Sequence, residues 1–309
     1  MMVGEGIAEF IPKGYDAEKI PSFAIDGEPE ETGNLPEGWQ PFPKFYLDNG
    51  KAGASLEVPE GTSLYGGGEV TGPLLRNGTT IKLWNTDSGA YSVDNGTRLY
   101  QSHPWMMGVR TDGTAFGILF DTTWKAVLSS TDEKIDLKSE GIPFRVFVID
   151  RESPQAVVRG LAELTGTMPM IPRWALGYHQ CRFSYQPDSR VIEIADGKEF
   201  HGDAWPGAAA FPDFTCPKAQ QWWAGLYKDF IATGIDGVWN GVKEPQINDT
   251  PNKTMPEDNI HRGGNGLPEL HSNAAISSCL ISILSCAKLQ PMECLSCALR
   301  SLQILKTCH

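Results

Sequence analysis

Positive charge is what this sequence has little of. Its 26 Lys and Arg face 38 Asp and Glu, a formal net charge of −12 in 309 residues, and no basic cluster stands out along it. A phosphate-backbone footprint is therefore excluded, and no nucleic-acid partner is expected. Cysteine is almost missing from the main body, where Cys181 and Cys216 are the only two before residue 271. That usage predicts a reduced, intracellular protein rather than a disulfide scaffold. Residues 1–20 carry acidic side chains and no apolar core of the length a signal peptide needs, so no leader is expected. The apolar run Ala274–Ala287 is 14 residues, short of the roughly 18 expected of a membrane span, and no membrane partner is expected.

Metal-ligand spacing is also lacking. Cys294 and Cys297 have the inner spacing of a zinc pair, but the other thiols do not repeat it, and His103 stands among aromatics without a second ligand nearby. We expect no metal and no cofactor. The sequons at Asn77, Asn95, Asn248 and Asn252 become acceptors only in a secretory compartment and otherwise read as polar loops.

What is present is an ordinary globular composition, 40% hydrophobic and 10% aromatic, at a length that suits about two domains. Up to about Met168 the chain alternates short apolar runs with Gly, Asp, Asn and Pro. Ala115 to Phe120, Trp124 to Leu128 and Phe144 to Ile149 are such runs, and they predict an antiparallel β-sandwich. Gly66-Gly67-Gly68 lacks the Lys-Ser/Thr of a phosphate loop and is expected to be a tight turn between strands. Ser153-Pro154 opens a helix with Val157, Leu161 and Leu164 on one face and Gly166 as its stop. A domain boundary is expected at Thr167 to Pro169. Lys218 to Thr233 has helical spacing, with Trp223, Leu226 and Phe230 along one side, and Ile235 to Trp239 follows as an apolar strand.

Several stretches then resemble a known family. Gly234 to Pro245 resembles the nucleophile motif of glycoside hydrolase family 31, Asp-Gly-x-Trp-x-Asp-Met-Asn-Glu-Pro, through Asp236, Gly237, Trp239, Glu244 and Pro245. Ile171 to Tyr185 is similar to the family's first barrel strand, with Trp174, His179, Cys181 and Arg182 in agreement and Phe183 where the family prefers Trp. Leu64 to Glu69, Leu83 to Asp87, Leu99 to Trp105, Trp205 to Gly207 and Phe211 to Phe214 resemble further segments in the family's order, so the likeness runs from Ser63 to Pro268.

The resemblance implies a galactose-mutarotase-like β-sandwich over 1–168 and an incomplete (β/α)8 barrel over 169–270, followed by a Ser/Cys/Leu-rich stretch, 271–309, unlike the family. It implies retaining hydrolysis of terminal α-linked glucose, with an α-linked glucoside or oligosaccharide as partner. Asp87 would hold sugar hydroxyls, while Phe183, Trp205 and Trp239 would line the sugar pocket. Read without the family, Asp87 before Ser88-Gly89 is a turn residue, and burial explains Trp205 and Trp239 about as well.

Two departures bear on activity. The family's nucleophilic Asp falls on Gly241, and a block of barrel strands is missing between Ala195 and Trp205. A complete barrel needs at least about 200 residues, whereas residues 169–270 offer 102. We expect a truncated, internally deleted member without activity. A non-catalytic carbohydrate-binding remnant and a mis-spliced product remain as alternatives.

Overall fold

The computed structural model describes residues 1–17, 22–24, 33–37, 39–86 and 96–167, with short stretches and single positions between 170 and 271. The chain divides into two compact units, one built mainly of Met1–Trp84 and Ser88–Thr167, the other mainly of Met168–Leu305.

Eleven strands of the first unit form two antiparallel sheets. One is six-stranded, in the order β1(Met2–Gly4), β2(Ile7–Phe10), β11(Arg145–Arg151), β8(Ala115–Asp121), β7(Ser102–Val109), β5(Ser63–Gly68). The other is five-stranded, in the order β3(Pro43–Asp48), β4(Lys51–Glu57), β10(Lys134–Ser139), β9(Ala126–Ser130), β6(Thr80–Leu83). The antiparallel sandwich expected from the short apolar runs is therefore present.

The two sheets are buried differently. In the six-stranded sheet, Phe116, Ile118, Phe120, Val146 and Val148 enter the core between the sheets. Their alternates Ala115, Leu119, Phe147 and Ile149 enter a second core on the other side. Strands β8 and β11 thus alternate between two apolar layers rather than between core and water, which is why they read as nearly unbroken apolar runs. Each fully buried Phe, Leu or Ile side chain contributes on the order of 1.5–3 kcal/mol.

The second core is closed by α1(Pro154–Thr165), with Ala156, Val157, Gly160 and Leu164 buried and Leu161 packed beside them. Ser153 caps it by accepting from the Ala156 N–H at 3.3 Å, Pro154 occupies the first turn, and the Gly166 N–H returns to the Ala162 carbonyl. The helix is the one the sequence predicts.

At one end of the second core the layer turns polar. Arg145 donates through Nε to Asp121, through Nη1 to Glu9 and through Nη2 to Ser22 Oγ, each at 2.8 Å. Ser22 Oγ and the Phe23 N–H in turn donate to Asp121, at 2.8 and 2.7 Å, and so fasten residues 22–24 to the sheet. Asp121 and Glu9 are buried. Burial alone would lower the pKa of Arg145, but the charge and hydrogen bond of Asp121, with Tyr15 and Glu9, raise it above its ordinary value.

The three glycines do not form the expected turn between strands. They are the end of β5, which pairs with β7 from Ser63↔Val109 to Gly68↔Ser102 across a bulge at Gly66/Gly68. All three have positive φ, and a Cβ on Gly67 would lie 2.3 Å from Ile81 Cδ1. Backbone freedom lets the strand bend while Ile81, projecting from the facing sheet, fills the space.

Among the described residues of the second unit, β12(His201–Ala204) pairs antiparallel with β13(Gly207–Ala210), and β14(Ile260–His261) with β15(Leu270–His271). The helix expected over 218–233 and the strand over 235–239 lie outside the described residues, apart from Gln221 and Gly225.

Arg145→Met strands two buried carboxylates without their cation and should lower the unfolding free energy of the full chain by about 3–5 kcal/mol. Lys51→Ala removes a pair whose partners are each about two-fifths exposed and should cost less than about 1 kcal/mol. Urea midpoints and slopes of the two variants check this, and equal midpoints would contradict the role given to Arg145. Gly67→Ala should cost about 1–3 kcal/mol through backbone strain and overpacking. In a double-mutant cycle with Ile81→Ala the double mutant should lose less than the sum of the two single losses; strict additivity would show that Ile81 is not what Gly67 accommodates.

Candidate functional site

The substrate-binding residues expected from sequence, Asp87, Phe183, Trp205 and Trp239, lie outside the described residues, as does Gly241. What the structure does place is the framework on either side of residues 87–95. On the near side, β6 ends at Leu83, and Trp84, Asn85 and Thr86 are each buried. On the far side, Gly96 is held through its carbonyl, which accepts from the Thr71 N–H at 3.1 Å and from Thr71 Oγ1 at 3.2 Å.

Thr71 belongs to the loop that leaves the glycine bulge, and that loop is organised by a residue that motif reading passes over. Arg76 is buried and spends its guanidinium on backbone carbonyls, donating through Nη1 to Pro73 at 2.8 Å and through Nε to Gly66 at 3.3 Å. Its own N–H reaches the Leu64 carbonyl at 2.7 Å. A charged side chain solvating main-chain oxygens stiffens a loop that has no ladder of its own. One local signal was available, a lone Arg between the apolar Leu74-Leu75 and the turn pair Asn77-Gly78.

Asn77 is equally committed. Its Oδ1 accepts from the Leu64 N–H, and its Nδ2 donates to the Thr62 carbonyl and to Asp132, all between 2.9 and 3.0 Å. A glycan on that nitrogen would take one of its two hydrogens and so break at least one of the two donated bonds; as it stands the sequon serves as a loop fastener. The other sequons fall outside the described residues.

His103 and Trp105 lie on β7, the strand paired with the bulged β5. His103 is exposed, yet the atoms packed around its ring hold the imidazole below its ordinary 6.5, with the Glu69 charge pulling the other way. Among the described residues no group of three His, Cys, Asp or Glu could hold a metal ion. No helix among them is long and apolar enough to cross a membrane.

The motifs around Gly66 to Glu69 and Leu99 to Trp105, dispersed in sequence, are therefore parts of one scaffold, whose loop at Thr71 holds Gly96. A stiff frame flanking a short polar segment can present a carboxylate to hydroxyl groups without ordering a long loop at the moment of binding.

Comparison with known proteins gives the same segments a common origin. Residues 23–128 match the glycosyl hydrolase 31 N-terminal galactose mutarotase-like domain, and residues 191–279 match the glycosyl hydrolases family 31 TIM-barrel domain. Alpha-glucosidase 2 of Bacillus thermoamyloliquefaciens is 31% identical over 298 residues, covering 69% of this chain and 37% of the relative. The crystal structure of a family 31 alpha-glucosidase from Bacteroides thetaiotaomicron superposes with a TM-score of 0.62 at 53% identity, covering 83% of this chain and 53% of that one. A Flavobacterium johnsoniae dextranase solved with glucose, at 19% identity and a TM-score of 0.59, covers 78% of this chain and 38% of its own and shares the fold. The chain thus spans between a third and about half of the length of these relatives. With a galactose-mutarotase-like sandwich followed by part of a family 31 barrel, the chain belongs to glycoside hydrolase family 31.

Proposed function

We propose that this chain is an α-glucosidase-type protein that binds α-linked glucosides or oligosaccharides and does not hydrolyse them. The observation that carries the reading is Gly241. It stands in an otherwise recognisable motif, with Asp236, Gly237 and Trp239 before it and Glu244 and Pro245 after it, where family 31 has its nucleophilic carboxylate. Retaining hydrolysis needs two carboxyl groups about 5–5.5 Å apart, one of which attacks the anomeric carbon. Glycine has no atom with which to attack. Glu244 would not replace it if the strand continues to that position, because an offset of three along a strand points to the opposite face.

The missing barrel block supports the same reading. The alignment with the Bacillus relative runs over 298 residues but draws on only 69% of a 309-residue chain. More than a quarter of its length therefore has no residue of this chain opposite it, as expected if strands between Ala195 and Trp205 are absent. On this reading the sandwich takes 1–168, the partial barrel 169–270, and 271–309 lies outside the family's pattern.

Binding is the part of the activity that these losses leave. Asp87 accepts two sugar hydroxyls, as one ionised carboxylate can. Phe183, Trp205 and Trp239 offer flat apolar walls to the C–H face of the ring. Support for an α-glucoside as the ligand comes from the relatives, which are named alpha-glucosidases.

The full chain should release no 4-nitrophenol from 4-nitrophenyl α-glucoside above the buffer rate. Gly241→Asp alone should not restore release, because the missing barrel block is not returned with it. Clear turnover by either protein would sink the inactive reading.

A further inference from the structure

The outer face of the five-stranded sheet is largely polar. Its register sets Tyr46, Gly53 and Lys138 in one cross-strand row, and Lys44, Ser55 and Asp136 in the next. From β3 the Tyr46 side chain reaches across β4 to β10. A Cβ on Gly53 would fall 2.2 Å from Tyr46 Cζ and 2.5 Å from its hydroxyl oxygen, so the ring lies on the bare glycine backbone. The hydroxyl donates to Asp136 Oδ2 at 2.9 Å, which fixes the ring along the sheet. The absence of a side chain at Gly53 is what allows an aromatic plane to lie flat on the sheet, and Tyr46 remains partly exposed.

Beside this plane is an open groove of about 550 Å³ lined by Lys44, Ser55, Glu57, Glu133 and Lys134 together with Leu56 and Val58. Most of its charges are neutralised in pairs, Lys44 with Glu57 and Lys134 with Asp136, and Lys138 with Asp48 just beyond, which leaves Glu133 as a single added negative charge at the rim. A paired surface gains little from a charged ligand. Its carboxylate oxygens and ammonium hydrogens still have free valences for hydroxyl groups, and the volume is that of a small-molecule cleft.

We propose that Tyr46 and this groove form a surface site for a segment of neutral α-glucan chain. The C–H face of one glucose stacks on Tyr46, and the hydroxyls of its neighbours bond along Lys44, Ser55, Glu57 and Lys134. The glucan identity rests on the α-glucoside reading above; the aromatic plane and the paired charges on their own specify a neutral polyol chain. Burial and the Asp136 hydrogen bond raise the Tyr46 phenol well above its usual range, so the plane stays neutral over the working pH.

The test is mobility of the full chain in native gels cast with amylose, with dextran or with heparin as the charged control, followed by calorimetric titration with maltoheptaose. The expected result is retardation by a glucan and not by heparin, lost at least tenfold in Tyr46→Ala and kept within about threefold in Tyr46→Phe. Gly53→Val, which lifts the ring, should also lose it, with melting curves showing that the variants fold. No retardation by either glucan, or retardation that Tyr46→Ala leaves intact, overturns the site. Binding lost in Asp87→Ala but kept in Tyr46→Ala would overturn the surface site while leaving the α-glucoside reading standing; absence of binding together with turnover of 4-nitrophenyl α-glucoside would overturn both.

Discussion

The Arg145 guanidinium, set between the buried carboxylates of Asp121 and Glu9, is the constraint on which the six-stranded sheet depends. Strands β8 and β11 are apolar on both faces, and in such strands the hydrophobic pattern does not by itself choose a register. Arg145 and Asp121 are direct cross-strand partners. A slip of one residue would turn the Asp121 carboxylate into the core between the sheets, where Phe120 and Val146 now pack, and leave Arg145 without its acceptor. A hydrophobic replacement of the whole cluster could be as stable, since buried ion pairs barely recover their desolvation. What the cluster supplies is the choice of register, and with it the attachment of residues 22–24 over the second core.

That choice propagates to the candidate site. Once β8 is fixed, β7 pairs along it from Trp105↔Leu119 to Val109↔Ala115, and β5 pairs along β7 through the glycine bulge. The bulge presents the Gly66 carbonyl to Arg76, and the Arg76 loop carries Thr71 to Gly96. Each step is a hydrogen bond or a ladder register, and together they run from the middle of the sheet to the frame around residues 87–95.

Much of this was legible in the sequence and some was not, for identifiable reasons. The helix from Pro154 was legible because cap, first-turn proline, apolar face and terminal glycine all agree locally. The sandwich was legible because turn residues punctuate the short strands. The double burial of β8 and β11 was hidden because alternation between two cores leaves no polar phase to see. Trp124 falls before β9 rather than within it, since it packs over Gly141 at the strand's entrance. The Glu9–Asp121–Arg145 cluster joins positions more than a hundred residues apart, and no spacing rule assembles it. The glycine bulge was misread because composition alone does not separate a turn that ends a strand from a bend that continues it; the difference lies in Ile81, a residue of the other sheet. Of the site, the family motifs were legible, and the role of Arg76 emerged only with the loop it holds.

The division of labour between the two sheets bears on what the chain retains. The six-stranded sheet is closed on one side by its partner sheet and on the other by α1, a helix from the same unit, and the described members of both cores lie within Met1–Thr167. On the proposed reading, losing a catalytic carboxylate in the barrel need cost the sandwich no packing, and strained or charged active-site groups are often retained at the expense of stability. On that reading, a sandwich that sets its own register and caps can persist without the carboxylate. Among its described residues the outer face of the five-stranded sheet is largely polar, while both faces of β8 and β11 are filled by apolar side chains, so of these sheet faces the polar one is left to meet a sugar.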